Sequence, residues 1–266
     1  MAKLHFGTRV FDADLVVFDK DGTLIDFGAL WAHYTIHAVE ALMTAIGERA
    51  PVVTGARAAA LTAPDALRAD LYAMLGYEPN AARFDPQSPV VTAPLSTINT
   101  LAAGVLYRHG WGWLDAELQV QQAFGPVMSA PLPLEMVRAT APLLPLFDAL
   151  RGAGVQIAVV TSDDRAPTLA ALEWLGVLPH LAFIACADDG YPYKPAPEPL
   201  WAACEATGVA PARTVMVGDS TTDMLLGQRA AVGLCVAVLT GMMDAATLAP
   251  LADVVLGSIG DIAVVA

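Results

Sequence analysis

The run Leu15-Val16-Val17-Phe18 and its continuation Asp19-Lys20-Asp21-Gly22-Thr23-Leu24 constrain this chain more than any other stretch. A short apolar run bounded by a turn reads as a strand buried on both faces, as in a parallel sheet. A buried strand has no reason to finish in two acids unless they act there. If the strand continues through them, Asp19 and Asp21 point to one side, because strand side chains alternate with period two. Adjacent carboxylates repel, so the pair calls for a cation between them or a shared proton. Gly22 then permits a sharp turn. Open α/β sheets hold their ligands at the carboxyl ends of strands. The stretch therefore points to a metal-assisted nucleophile and an acid/base partner.

The remainder of the chain supplies the sheet. From about residue 140, helical segments (142–150, 166–175, 197–207, 222–231) alternate with strand-like ones (155–160, 181–185, 214–217, 234–239, 253–256). That alternation predicts βαβ units and a parallel sheet with helices on both faces. Residues 4–11 read as one short strand leading to the central one. Between 28 and 136 no strand is expected. Helices are predicted at 31–46, 65–75 (Asp65 as N-cap, Gly76 as C-cap), 95–109 and 115–124, with 77–94 extended. Pro51, Gly55 and Pro64 punctuate this block, and Pro126, Pro131 and Pro133 mark its end. The expected fold class is α/β: a Rossmann-like parallel sheet core in three layers (α/β/α), residues 1–27 and 137–266. A mainly helical domain, 28–136, is inserted.

Composition narrows the function. The chain has 266 residues, 56% of them hydrophobic and 15% charged, enough for a packed core and too apolar for disorder. A net charge of -13 argues against nucleic acid or an anionic membrane surface as partner. An anionic substrate must then be drawn in locally. The uncharged stretch 86–107 is broken by Pro86, Pro89, Pro94 and Asn99, so it does not read as a membrane span. Cys186, Cys204 and Cys235 sit in apolar contexts and read as buried thiols in a reducing compartment. No signal-peptide pattern opens the chain, so a soluble, cytoplasmic protein is expected.

The expected core strands end in polar residues. Thr161-Ser162-Asp163-Asp164 follows one, and Gly218-Asp219-Ser220-Thr221-Thr222-Asp223 follows another. Lys194-Pro195-Ala196-Pro197 lies between them. In a parallel sheet these ends gather on one edge. The set resembles the haloacid dehalogenase superfamily, whose four motifs are present in order: Asp19-Lys20-Asp21-Gly22-Thr23, Thr161, Lys194 and Gly218-Asp219…Asp223. The inserted block matches, in position and helical character, the helical cap of the phosphoglycolate-phosphatase-like subgroup. The segment from Gly241 to Leu256 also looks like that subgroup.

The resemblance implies a phosphatase that acts on a small phosphorylated metabolite. It makes Asp19 the nucleophile that forms an aspartyl-phosphate and Asp21 the acid/base. Mg²⁺ would be held by Asp19, the backbone carbonyl of Asp21, and Asp219. Asp223 would act through a water or orient Lys194. Thr161, Lys194 and nearby groups, among them Gly22, Thr23 and Ser162, would bind the phosphoryl oxygens. Dehalogenases of this superfamily lack an acid at the position of Asp21, because a departing halide needs no proton, so Asp21 favours phosphate esters. No lysine lies between Lys20 and Lys194, which excludes a Schiff-base phosphonate-cleaving relative. A phosphomutase and a non-catalytic relative remain the alternatives.

Other residues carry quieter readings. His33 and His37 share a helical face but lack a third ligand, so packing is expected, with His33 a candidate to meet substrate. Arg83 is a candidate for an anionic substrate tail. Asp163 and Asp164 read as caps of the following helix, and Asp188 and Asp189 as solvated or turn residues, not ligands. Trp111 and Trp113 read as packing residues.

Overall fold

Leu15–Phe18 lies inside a six-stranded sheet in the computed structural model, which describes residues 2–47 and 64–265. The strand order is Val254–Leu256, Leu234–Val238, Thr214–Gly218, Leu15–Phe18, Gln156–Val160, Phe183–Ala185. Every neighbouring pair is parallel. The chain adds strands on one side of Leu15–Phe18 and then returns to add them on the other, so this strand marks the switch point where such sheets open a crevice.

Period-two alternation sets the packing. Val16 and Phe18 join one apolar cluster with Ile157, Val159, Val215 and Val217. Leu15 and Val17 join the other with Ala158, Val160, Met216 and Leu200. All four side chains of the strand are fully buried, which is why no polar residue interrupts it. Phe18 stacks on Phe147 at 5.5 Å between ring centres. The helices Leu143–Gly152, Arg165–Trp174, Glu198–Thr207 and Thr221–Arg229 alternate with the strands as the pattern predicts.

The segment read as one strand over residues 4–11 is instead a hairpin. Ala2–Phe6 and Arg9–Ala13 pair antiparallel around Gly7, whose φ of +60° turns the chain. Ile262–Val264 pairs with the first of these strands to complete a three-stranded sheet.

The described chain divides into two compact units, Met1–Phe27 with Leu132–Ala266, and Gly28–Pro131. Within the first unit, the chain's departure to the second is bonded to its return. The Asp26 amide donates to the Arg138 carbonyl at 2.8 Å, and the Thr140 amide to the Leu24 carbonyl at 3.0 Å. The Thr140 hydroxyl donates to the Thr23 carbonyl at 2.5 Å, and Ile25 bridges Ala139 antiparallel.

The second unit is built on Phe27–Gly47, Pro64–Leu75, Leu95–Arg108 and Trp113–Met128. It departs from expectation in several places. Residues 77–94 are not simply extended: Tyr77–Glu78 and Arg83–Phe84 form a small antiparallel hairpin, with Tyr77 and Phe84 rings 4.8 Å apart. Pro89–Thr92 is a short helix. The surrounding prolines concealed both. Asp65 lies in the first helical turn, because Pro64, with its preset φ, already opens the helix. Pro126 does not end its helix. It falls in the last turn, and hydrogen bonding resumes at once from the Ser129 amide to the Gly125 carbonyl at 2.9 Å. Trp111 is buried, whereas Trp113 is largely exposed and meets Tyr107 edge-on. Pro51 and Gly55 lie outside the described residues. The three cysteines are buried and free. Among the described residues no helix is long and apolar enough to cross a membrane.

Candidate active site

Three adjacent strands deliver the polar loops to one edge. Phe18 stands opposite Val159 and Val217 in register, so the residues after each emerge together. The Asp19 amide extends the ladder by one bond, to the Val217 carbonyl at 2.9 Å. The chain then turns. The Lys20 carbonyl accepts from the amides of Leu24 and Ile25 at 2.8 and 2.9 Å, and Gly22 takes a φ of +82°. The strand stops at Phe18, and beyond it the Asp19 and Asp21 carboxylates meet different lysines. Each takes its own ammonium.

Asp19 accepts from Lys194 Nζ at 2.5 Å, and the same ammonium donates to Asp223 Oδ1 at 2.8 Å. All three side chains are buried. Asp223 is the third residue of the helix Thr221–Arg229 and also closes its start. Its Oδ2 accepts from the Ser220 amide at 3.1 Å, while the Ser220 hydroxyl accepts from the Asp223 amide at 3.2 Å. Asp219 lies beside them and accepts from the Thr23 hydroxyl at 3.1 Å. Two glycines crowd it. A Cβ on Gly22 would fall 2.3 Å from Asp219 Oδ2, and one on Gly241 would fall 1.7 Å from it. Carboxylate oxygens of Asp19, Asp219 and Asp223 lie within 4.8 Å of one another. Three buried carboxylates face one ammonium, and all the donors are oxygen. That set fits a hard divalent cation such as Mg²⁺.

Burial without full compensation sets the protonation. It pushes the Asp19 carboxyl up to about 7, against the pull of Lys194 and helped by the charge of Asp223. Asp219 is raised well above the carboxylate range by burial and then by Asp19 and Asp223. For Lys194 burial acts downward, but Asp19 and Asp223 outweigh it and hold the ammonium charged.

Asp21 is placed differently. Lys20 Nζ donates to its Oδ1 at 2.8 Å and lies 2.7 Å from Oδ2. The same ammonium meets Asp163 at 2.9 Å. Burial raises Asp21, with Lys20 opposing. Thr161 is buried, and its hydroxyl accepts from the Asp163 amide at 3.1 Å. Thr161, exposed Ser162, Tyr193 and Lys194 line a shallow recess. Neither acid read as a cap of the helix Arg165–Trp174 makes a side-chain cap bond to its first turn. Asp164, at the cap position, forms none, and Asp163 is drawn to Lys20 instead. Asp188 and Asp189 do lie in a short turn, Ala187–Asp189, where Asp189 pairs with Arg165 at 2.5 Å and accepts from the Cys186 amide at 2.7 Å.

The two candidates in the second unit have local partners. Arg83 is exposed and bonds Glu78 at 2.8 Å. His33 lies 4.0 Å from the His37 ring, centre to centre, and its carbonyl accepts from His37 Nδ1 at 2.8 Å. Sequence reasoning missed Lys20, Thr140 and Thr240, whose hydroxyl donates to the Gly22 carbonyl at 2.6 Å.

A family model for haloacid dehalogenase-like hydrolases matches residues 13–231. The chain belongs to that family. A phosphoglycolate phosphatase of Rhodospirillum rubrum is 34% identical over 107 residues, 40% of this chain and 44% of the relative. A pyrophosphatase, PpaX, of Bacillus pumilus is 35% identical over 88 residues, 33% of this chain and 41% of the relative. The chain thus spans less than half the length of these curated relatives. In fold, this hydrolase family member resembles the crystal structure of a predicted phosphoglycolate phosphatase from Haemophilus somnus. The TM-score is 0.63 at 16% identity, covering 94% of this chain and 96% of the other.

Proposed function

We propose that this chain is a Mg²⁺-dependent phosphatase acting on a small phosphorylated metabolite, a phosphoglycolate-like monoester, through an aspartyl-phosphate on Asp19. The observation that carries this reading is the burial of Asp19 at the switch point, one ammonium and two further carboxylates around it. Such an arrangement is costly unless it serves an anionic nucleophile approaching an anionic ester.

Asp19, Asp219, Asp223 and the backbone at Asp21 would hold the Mg²⁺. When bound, the ion screens the nucleophile and the phosphoryl oxygens from each other. A carboxylate oxygen of Asp19 attacks phosphorus as the bond to the leaving oxygen breaks, and Asp21 gives that oxygen a proton. Water then attacks phosphorus, passes a proton to Asp21, and the bond to Asp19 breaks to release orthophosphate. Lys194 offsets the charge that accumulates, an effect of about 3 kcal/mol for one well-placed donor. Thr161 and its neighbours hold the phosphoryl oxygens. The inserted unit, with His33 and Arg83, is the cap that selects the ester.

A panel of phosphorylated metabolites, including phosphoglycolate and inorganic pyrophosphate, with Mg²⁺ and phosphate release as readout, tests this. One or a few members should turn over, and Asp19→Asn should lower that turnover by at least about a thousandfold. Full activity in Asp19→Asn, or no release from any member, would sink it.

A further inference from the structure

Lys20 is the least expected residue of the site. It stands between the two working acids, its side chain 2% exposed, and its ammonium lies within 2.9 Å of both Asp21 and Asp163. A buried ion pair is weak evidence of stability, because an apolar residue of similar volume does as well or better. What a lysine adds here is direction. Its ammonium contacts both oxygens of the Asp21 carboxylate, leaving that group little freedom to rotate.

Asp163 is itself fixed from three sides. Its amide donates to the Thr161 hydroxyl at 3.1 Å, its Oδ1 accepts from the Asp164 amide at 2.8 Å, and its carbonyl accepts from the Ala187 amide at 2.9 Å. The clamp therefore references Asp21 to the loop that carries Thr161. Lys194 is shared between Asp19 and Asp223 in the same manner. Each working acid thus has its own buried ammonium, braced by a second carboxylate.

We propose that Lys20, anchored by Asp163, is a positioning residue for Asp21, fixing the carboxyl that exchanges protons with the leaving oxygen and the attacking water. The role rests on the phosphatase reading. It acts through Asp21 alone, so its loss must be felt where a proton is needed and not elsewhere.

Rapid-mixing kinetics with Mg²⁺ read this out on two esters. p-Nitrophenyl phosphate loses a phenolate that needs no proton, whereas phosphoglycolate, or the best alkyl ester of the panel, does need one. Lys20→Met should slow phosphorylation by the alkyl ester by about a hundredfold or more and leave the p-nitrophenol burst nearly unchanged. Lys20→Arg should recover part of the loss, and Asp163→Asn should show the same selectivity more weakly. In an Asp21→Asn background, Lys20→Met should cost nothing further. An equal loss on both esters, or a further loss beyond Asp21→Asn, overturns the role. If Lys20→Met does not fold, Lys20→Arg and Asp163→Asn decide by the same criterion. Where the wild type shows no burst, single-turnover rates on the two esters carry the same comparison; absence of phosphate release from both esters in the wild type overturns the phosphatase reading, and this role with it.

Discussion

At the scale of residues, the site gathers more buried carboxylate than its one ammonium, Lys194, offsets. Asp19 is raised to about 7 and Asp219 well above its ordinary value, both first by burial. A carboxyl whose folded value is raised binds a proton that the unfolded chain, titrating near 4, has already lost. Its contribution to stability is therefore present on the acid side and lost as pH rises from about 4 through 7. The proposed divalent ion would compete with those protons and supply at neutral pH what they supply in acid. With a chelator present, the melting temperature should fall between pH 5 and pH 8. Millimolar Mg²⁺ should raise it more at pH 8 than at pH 5, and Asp219→Asn should flatten both trends. A Mg²⁺ shift equal at both pH values would contradict the assignment.

At the scale of elements, the site is made by loops that leave parallel strands at one edge, and by glycines that let those loops close on one another. The loop after Leu234–Val238 brings Gly241 so near Asp219 that a Cβ would overlap its carboxylate, at 1.7 Å. Gly241→Ala should swing Asp219 aside and weaken Mg²⁺ affinity by about tenfold or more, measured by titration calorimetry, while thermal unfolding of the metal-free protein stays close to wild type. Unchanged affinity would show that the close approach is incidental.

This is also the scale at which the sequence was legible. Asp19, Thr161, Asp219 and Asp223 each follow an apolar strand, a local pattern that marks a strand end. Lys194 follows no strand directly and was found through its motif. Lys20 and Asp163 escaped because their pairing crosses two loops and leaves no period to read. The strand Ile262–Val264 escaped because its partner, Ala2–Phe6, lies at the other end of the chain. The hairpin around Gly7 was hidden because apolar alternation resumes on both sides of the turn.

For the whole molecule, the chain's departure and return are fastened together inside the first unit, through Leu24 to Asp26 and Arg138 to Thr140. The fastening uses main-chain bonds and one hydroxyl, and none of it draws on residues 28–131. Replacing Gly28–Pro131 by a short flexible linker should leave a cooperatively folding core that still hydrolyses p-nitrophenyl phosphate. It should lose its preference among metabolites. Amide dispersion in NMR and the panel assay check the two halves of that statement, and an unfolded product would refute it. A doorway whose two posts are tied to each other does not depend on the room behind it. If that deletion behaves as expected, the chemistry and the choice of substrate would be separately heritable, and a gene could exchange one without relearning the other.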